Sequence, residues 1–552
     1  MSQLFSLLWP DDTPRSQMCL TLDAQCVRDL DIERTLAALT DGMLGRSTIR
    51  DALLNLCTDP AVIAYRQDIL DDLWQHPDFT QALEALLPDI NALDAYHGSM
   101  DRRRSTLQEV TWRLGELEQL VQCVSGLHNV FLQQGDTLRA EGWRRLREVI
   151  TQTAQDAVYQ HLTRELPEML RTIRSTASVT IGVNLDGRLR PVAATLLAVN
   201  GQKFTASSFL DRLLGTYGEK LKGLGPLHTV PKLTQEQTPG KPEVNPLMVP
   251  LFRDVAKVLD TVCQPIARAL RHYAALHSAA LAALSGDIAF YLAAVRLMQR
   301  LQDRGLPICR PDIAPMTERV CELHEAYNLN LALQQMEHAG DRIVTNDVHM
   351  GDNGRICLLT GPNQGGKTTY TQMLGLCHIL AQAGVWVPAA RARLSPVDTI
   401  YTHYPVEEQM AKGTGRFGEE AQRLSQIFAQ ATQYSLILLN ESLASTTPGE
   451  SVYIAQDIVR ILRRMGTRAI FATHLHDLAA DVDELNVNTV GDSLIVSLVA
   501  SRNDDGDDGA RRSYKIAPGR PMGRSYAREI ASHYGISYDQ LQTLLQQRGV
   551  LQ

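Results

Sequence analysis

A chain of 552 residues has room for three or four domains at about 150 residues each, and its 44% hydrophobic and 21% charged content excludes collagen-like, disordered and membrane-embedded classes. The net charge of −8 excludes a globally basic surface, so any nucleic-acid contact has to be a local patch of Lys and Arg. No apolar run approaches the roughly 18 residues of a membrane span; the richest stretch, Tyr273 to Leu284, is broken by His277. Met1 to Leu8 carries no basic region and runs into Trp9-Pro10-Asp11-Asp12, which argues against a secretory signal and for a cytoplasmic protein without a membrane partner. The nine Cys are scattered singly without a Cys-x-x-Cys pair, which disfavours both a disulfide framework and a zinc site and leaves buried thiols.

In chain order, Ser16 to His97 has helical periodicity, with Leu20, Leu22, Val27, Leu30, Ile32 and Leu36 on one winding apolar stripe. A second helical stretch, Ser105 to Arg174, is rich in Leu, Glu, Gln and Arg. The period then changes over Ser178 to Asn200, where Asp186-Gly187 between two strand-like runs predicts a hairpin. Gly223 to Pro250 carries six Pro and reads as a linker. Helix resumes from Leu251 to Arg304. From Asn328 onward strand and helix patterns alternate, as in an α/β domain with a largely parallel sheet. The acidic, Gly-rich run Asn503 to Gly509 reads as an exposed hairpin tip.

The strongest chemical signal is Gly361-Pro362-Asn363-Gln364-Gly365-Gly366-Lys367-Thr368, followed by Thr369. It fits the whole Gly-x-x-x-x-Gly-Lys-[Ser/Thr] pattern, after an apolar strand and before a helix. Such glycines let backbone N–H groups curl around phosphate oxygens, and the helix N-terminus adds its positive end. Lys367 is placed to reach the β- and γ-phosphates of ATP and Thr368 to ligate Mg²⁺. The strand Ser435-Leu-Ile-Leu-Leu-Asn440-Glu441 supplies the acidic partner, with Glu441 as the residue that polarises water and Asn440 where a metal-associated Asp is usual. A third strand, Arg468 to Thr473, ends at His474, whose imidazole can sense a γ-phosphate.

Thr360 to Thr368, Leu436 to Glu441 and Ala472-Thr-His-Leu475 resemble the ATPase domain of the MutS family, the DNA mismatch repair branch of the ABC-type ATPases. Leu22 to Leu30, Asp59-Pro-Ala-Val-Ile-Ala-Tyr-Arg66, Tyr514-Lys-Ile and Gly519 through Ser525-Tyr526-Ala527 extend the resemblance to about residues 16–540. It implies a multidomain protein: an all-α core and lever region with a small β-hairpin element, followed by an α/β ABC-type P-loop ATPase domain. The expected divisions are a helical core domain (1–104), a lever with a reduced clamp-like β element and Pro-rich linker (105–250), a lever return (251–327), and the ATPase domain with C-terminal helices (328–552). Only about twenty residues precede Leu22. A short member without the mismatch-recognition and connector domains is therefore expected, and the match Phe417-Gly418-Glu419 to the family's Phe-x-Glu wedge lies downstream of the phosphate loop.

The resemblance also implies a homodimer in which the loop around Gly415 and Arg416 faces the other subunit's γ-phosphate, with Gly415 in place of the usual Ser. The aromatic that stacks on adenine is replaced by Ile343. With Asn440, these departures lead us to expect slow hydrolysis. Arginines at 102–104, at 144, 145 and 147, and at 188 and 190 are candidate phosphate contacts, although Glu116, Glu118, Glu141 and Glu148 lie among them. The favoured reading is an ATPase that couples nucleotide state to dimer conformation on structured or duplex DNA. The alternative is an ATP-gated protein-interaction switch that does not touch DNA. An ABC transporter or ribosome-associated ATPase fits poorly, because the near match Leu284-Ser-Gly-Asp287 lies upstream of the phosphate loop.

Overall fold

The computed structural model describes residues 6–10, 19–40, 45–96, 106–174, 178–188, 191–200, 264–337, 343–405, 416–502, 512–521 and 535–550, apart from short gaps at 265, 271–272, 274–277, 363, 492 and 549. The Pro-rich linker, Arg102 to Arg104, Arg190, the acidic tip after Asn503 and Ser525 to Ala527 lie outside these described residues. Fourteen strands are named in chain order: β1 (Cys19–Thr21), β2 (Asn55–Cys57), β3 (Ser178–Leu185), β4 (Pro191–Asn200), β5 (Asp312–Ile313), β6 (Cys321–Ala326), β7 (Asn346–Met350), β8 (Ile356–Thr360), β9 (Arg391–Leu394), β10 (Ile400–His403), β11 (Leu436–Asn440), β12 (Arg468–Ala472), β13 (Ile495–Arg502) and β14 (Arg512–Pro518). Contacts divide the chain into two compact units, one built from 88–133 and 146–282, the other from 5–87, 134–145 and 283–552.

The first unit is helical with one hairpin. Val110, Leu114, Leu117, Val124, Leu127 and Phe131 recur at helical spacing in the long helix Thr106–Gln134 and are buried. Glu116, expected to balance surface arginines, is itself buried and accepts from Arg113 and Ser278, so it neutralises an internal guanidinium. The β3–β4 hairpin is antiparallel, as its Asp-Gly signal predicts. Its connection is longer than a two-residue turn, because Leu185 pairs with Pro191, and the Asp186 carboxylate accepts from Arg188 N–H at 2.8 Å.

In the second unit the N-terminal stretch is not wholly helical. β1 and β2 pair antiparallel, Cys19 with Cys57, which takes Leu20 off the apolar stripe: it is 52% exposed, whereas Leu22, Val27, Leu30, Ile32 and Leu36 are buried. Three-residue strands are too short to register as a period of two. Helix Pro60–Gln75 starts where its sequence dictates, the Asp59 carboxylate accepting from Ala61 N–H and Pro60 filling the first turn. Helix Leu284–Asp303 with the preceding turn from Ala279 contains an 18-residue stretch of mean hydropathy 1.5, long and apolar enough to span a bilayer, so the richest apolar stretch lies later than expected. Its most apolar stretch is 78% buried within the fold, which is how a core helix apolar all round behaves.

Strand structure begins before Asn328, with β5 and β6 joining a four-stranded sheet ordered β5-β9-β6-β7. Six strands form the second sheet, ordered β10-β11-β12-β8-β13-β14, parallel throughout except for the antiparallel edge strand β14. The central strands are buried on both faces, so they read as unbroken apolar runs rather than as alternation. One face, carrying Ile356, Leu358, Ile437, Leu439, Ala469 and Phe471, packs on helices Arg416–Gln430 and Pro448–Met465. Arg468, wholly buried, donates to the carbonyls of Val320, Ser395, Pro396 and Tyr434 and ties the two sheets together. Burial lowers its pKa to about 10, the nearby Asp398 charge opposes that shift, and four carbonyls serve its two terminal nitrogens.

Candidate functional site

Parallel sheets gather chemistry at the carboxyl ends of their strands. Here β8, β11 and β12 are adjacent, and their ends carry the phosphate-loop motif, Asn440-Glu441 and His474. The loop leaves β8 and enters helix Lys367–Ala383 at Gly366, whose φ of 90° belongs to the left-handed region. Gly361 is required for a second reason: a Cβ there would lie 2.7 Å from the Ala500 Cβ on β13. Asn363 lies outside the described residues, and Gln364 takes a φ of 60°.

Lys367 is 4% exposed, and its Nζ donates to the carbonyls of Gly361 and Pro362 at 3.1 and 3.2 Å. Glu441 Oε1 lies 4.0 Å from the same Nζ. Burial holds the ammonium below its ordinary range, and the Glu441 charge opposes that shift. Glu441 follows β11 with a φ of 51°, its N–H donating to Ala472 O at 2.8 Å, so the chain turns at the strand end and the carboxylate lines the cavity beside the loop. His474 Nε2 lies 3.0 Å from Glu441 Oε1 and 3.4 Å from Lys367 Nζ. The shorter, charge-assisted contact assigns the Nε2 proton to Glu441. That hydrogen bond is the main reason the Glu441 carboxyl lies below its usual range, ahead of the nearby charges.

Thr368 Oγ1 donates to Asn440 Oδ1 at 3.3 Å. The structure thus brings Lys367, Thr368, Asn440, Glu441 and His474 together, and Thr369 lies in the same cavity wall. Thr368, Asn440 and Glu441 are hard oxygen donors with one carboxylate, a set that fits Mg²⁺ better than a soft metal. The cavity of about 480 Å³ is also lined by Tyr327, Asn328, Leu331, Gln335, Val344, Asn346 and Tyr514. Ile343 is half-buried and is not part of this lining; Val344, the next residue, is. Gly415 lies outside the described residues, and Arg416 opens helix Arg416–Gln430.

Sequence reasoning missed Tyr514 and Asn346. Between the pairs Ala500–Ile516 and Arg502–Arg512, β13 advances two residues and β14 four, so β14 bows out around Tyr514, whose φ is 53°. The Asn346 amide braces this bulge, donating to Tyr514 O at 3.1 Å and accepting from Ile516 N–H at 2.8 Å. The phenol ring ends beside Gly366, where a Cβ would meet its Cδ1 at 3.6 Å. The motif Tyr514-Lys-Ile marks a closing strand in the sequence but not a place in the cavity; the pairing β8-β13-β14 carries Tyr514 to the loop.

Residues 357–539 match the model of MutS domain V, and residues 58–304 match that of the MutS2 N-terminal domain. A DNA mismatch repair protein MutS from Granulibacter bethesdensis is 28% identical over 497 residues, covering 84% of this chain and 51% of the relative. MutS 2 from Halobacterium salinarum is 34% identical over 202 residues (36% of this chain, 22% of the relative), and MutS from Erythrobacter litoralis is 32% identical over 231 (41% and 25%). The chain therefore spans about a fifth to a half of the length of these curated relatives. Two models named for one family fall on successive parts of the chain, and the motifs at the cavity lie inside the second: the chain belongs to the MutS family.

Proposed function

We propose that this chain binds ATP in the cavity between the 361–369 loop and β14 and hydrolyses it to ADP and phosphate. The carrying observation is the convergence of Lys367, Thr368, Glu441 and His474 at adjacent strand ends. The loop N–H groups and Lys367 hold the β- and γ-phosphates, and Tyr514 and Val344, both in the lining, offer apolar surface to the base. Mg²⁺, held by Thr368 with Asn440 and Glu441 close by, would supply neutralisation of phosphate charge. Glu441 accepts from and orients the attacking water, His474 steadies the carboxylate, and Lys367 withdraws charge from the transferring phosphoryl group. The Asn440 amide brings no charge to the metal, which supports a slow reaction.

The printed names of the relatives, DNA mismatch repair proteins, support a DNA-linked role. We take the chain as a cytoplasmic homodimer on structured or duplex DNA, with Arg416 and the neighbouring Gly415 completing the partner's ATP site in an ABC-type arrangement. Arg144 and Arg188 are exposed and suited to phosphate contacts. Steady-state hydrolysis with plain, mismatched and branched duplexes tests this. A rate that depends on the DNA supplied is expected. An unchanged rate, together with no salt-sensitive retention of any duplex in filter binding, favours the protein-interaction switch.

A further inference from the structure

The four-stranded sheet carries a donor cluster that the ATP reaction does not use. On β7, Asp347 and His349 are two residues apart and so share a face, and both are exposed, whereas Val348 and Met350 on the other face are buried. Glu322 on β6 pairs directly with His349, and His324, two residues further on, shares that face. One ligand atom from each of His324, Asp347 and His349 lies within 4.8 Å of the others. The two imidazoles meet edge to face at 5.2 Å between centroids. Neither ring has a hydrogen-bond partner among the described residues. Asp347 Oδ1 accepts from Glu325 N–H at 2.8 Å, where the bulge in β6 gives Glu325 a φ of 51°. One carboxylate oxygen is thereby fixed and the other left for a ligand.

We propose that His324, Asp347 and His349 form a surface site for a divalent transition metal ion of the Zn²⁺ class. Two imidazoles and a carboxylate are donors that suit zinc, nickel or copper, whereas Mg²⁺ and Ca²⁺ take oxygen. Ligands around one tetrahedral zinc lie about 3.4 Å apart, so side-chain rotations of about an ångström close the triad. Glu322 adds negative charge on the same face, and the neighbouring Arg391, across β6 on β9, is exposed and free to turn toward solvent. Three protein ligands leave a fourth position for water or an added ligand. A cysteine inventory cannot detect such a site, because every donor is a sheet residue brought into place by strand pairing.

The test uses the full chain, stripped with chelator and titrated with Zn²⁺ against a chromophoric competitor, without nucleotide. The native chain is expected to hold one equivalent that the His324→Ala/His349→Ala double variant does not. Either single variant should bind at least about tenfold more weakly, since loss of a group that only hydrogen-bonds a metal ligand already costs that much. Asp347→Asn, which keeps the acceptor for Glu325 N–H, should also weaken binding. Loading the native chain with Co²⁺ should give the visible bands of nitrogen and oxygen ligation without thiolate charge transfer. Equal stoichiometry and affinity in the double variant, its circular dichroism matching the native chain, would overturn the site, as would a thiolate spectrum.

Discussion

The two walls of the cavity are built in opposite ways. The wall proposed for phosphate is one continuous segment, Gln364 to Tyr370, at the entry to helix Lys367–Ala383, with Lys367 its single lysine. The base wall is assembled from Tyr327 to Gln335, Val344, Asn346 and Tyr514, spread over nearly two hundred residues of chain. Phosphate recognition needs a fixed backbone path, so glycines at set spacing encode it. Base recognition needs only apolar surface of the right shape, which any strand that reaches the place can supply. Affinity should therefore reside mainly in the first wall and selectivity among bases in the second.

Removing the charge of the phosphate wall is the strongest way to break this comparison. Lys367→Ala should weaken ATP binding by about a hundredfold, as loss of charge-assisted hydrogen bonds to phosphate does, when measured by equilibrium binding of a labelled nucleotide. Binding within a few-fold of the native chain would place the ligand elsewhere. Tyr514→Ala should weaken ATP by only about two- to tenfold and leave the maximal rate unchanged, while narrowing the difference between ATP and GTP. A larger loss than that from Lys367→Ala would reverse the ranking of the walls. Asn440→Asp, which restores a carboxylate next to Thr368, should raise Mg²⁺-dependent turnover by a few-fold, seen in a metal titration of the rate.

The same contrast explains what was legible beforehand. The meeting of Glu441 and His474 is legible because each ends an apolar strand, and parallel pairing of β11, β12 and β8 leaves such ends side by side. The resemblance puts Ile343 in place of the family's base-stacking aromatic, whereas in the structure the next residue, Val344, lines the cavity. Tyr514 is legible as part of a strand motif but not as a cavity residue, because its position depends on a bulge held by Asn346 from another sheet. The early helical reading missed β1 and β2, whose three-residue lengths carry no period, and placed Leu20 in the core.

A further prediction concerns stability rather than binding, at the support behind the Glu441 strand. His403 is buried at the end of β10, its Nδ1 2.7 Å from Ser442 Oγ beside Glu441. Burial, with Arg423 adding to it, holds its pKa to about 4, and burial of His378 in helix Lys367–Ala383 takes that group to about 3. Above pH 6.5 both rings are neutral in the folded and unfolded chain, and their contribution to stability is fully present. As pH falls from 6.5 toward 4 the unfolded chain takes up protons that the folded chain refuses, so stability declines by up to about 1.4 kcal/mol per pH unit for each ring. The thermal midpoint should fall over that window, and His403→Gln should flatten the slope; an unaltered slope would show that His403 is not held neutral.

The central claim is that the loop after β8 and the carboxylate after β11 form one hydrolytic site. Single-turnover cleavage of ATP by Glu441→Gln, run beside equilibrium binding, tests it most directly. The expected result is binding close to that of the native chain with cleavage slowed by about a hundred- to ten-thousandfold, the range for loss of a general base. Cleavage at the native rate with ATP bound would contradict it.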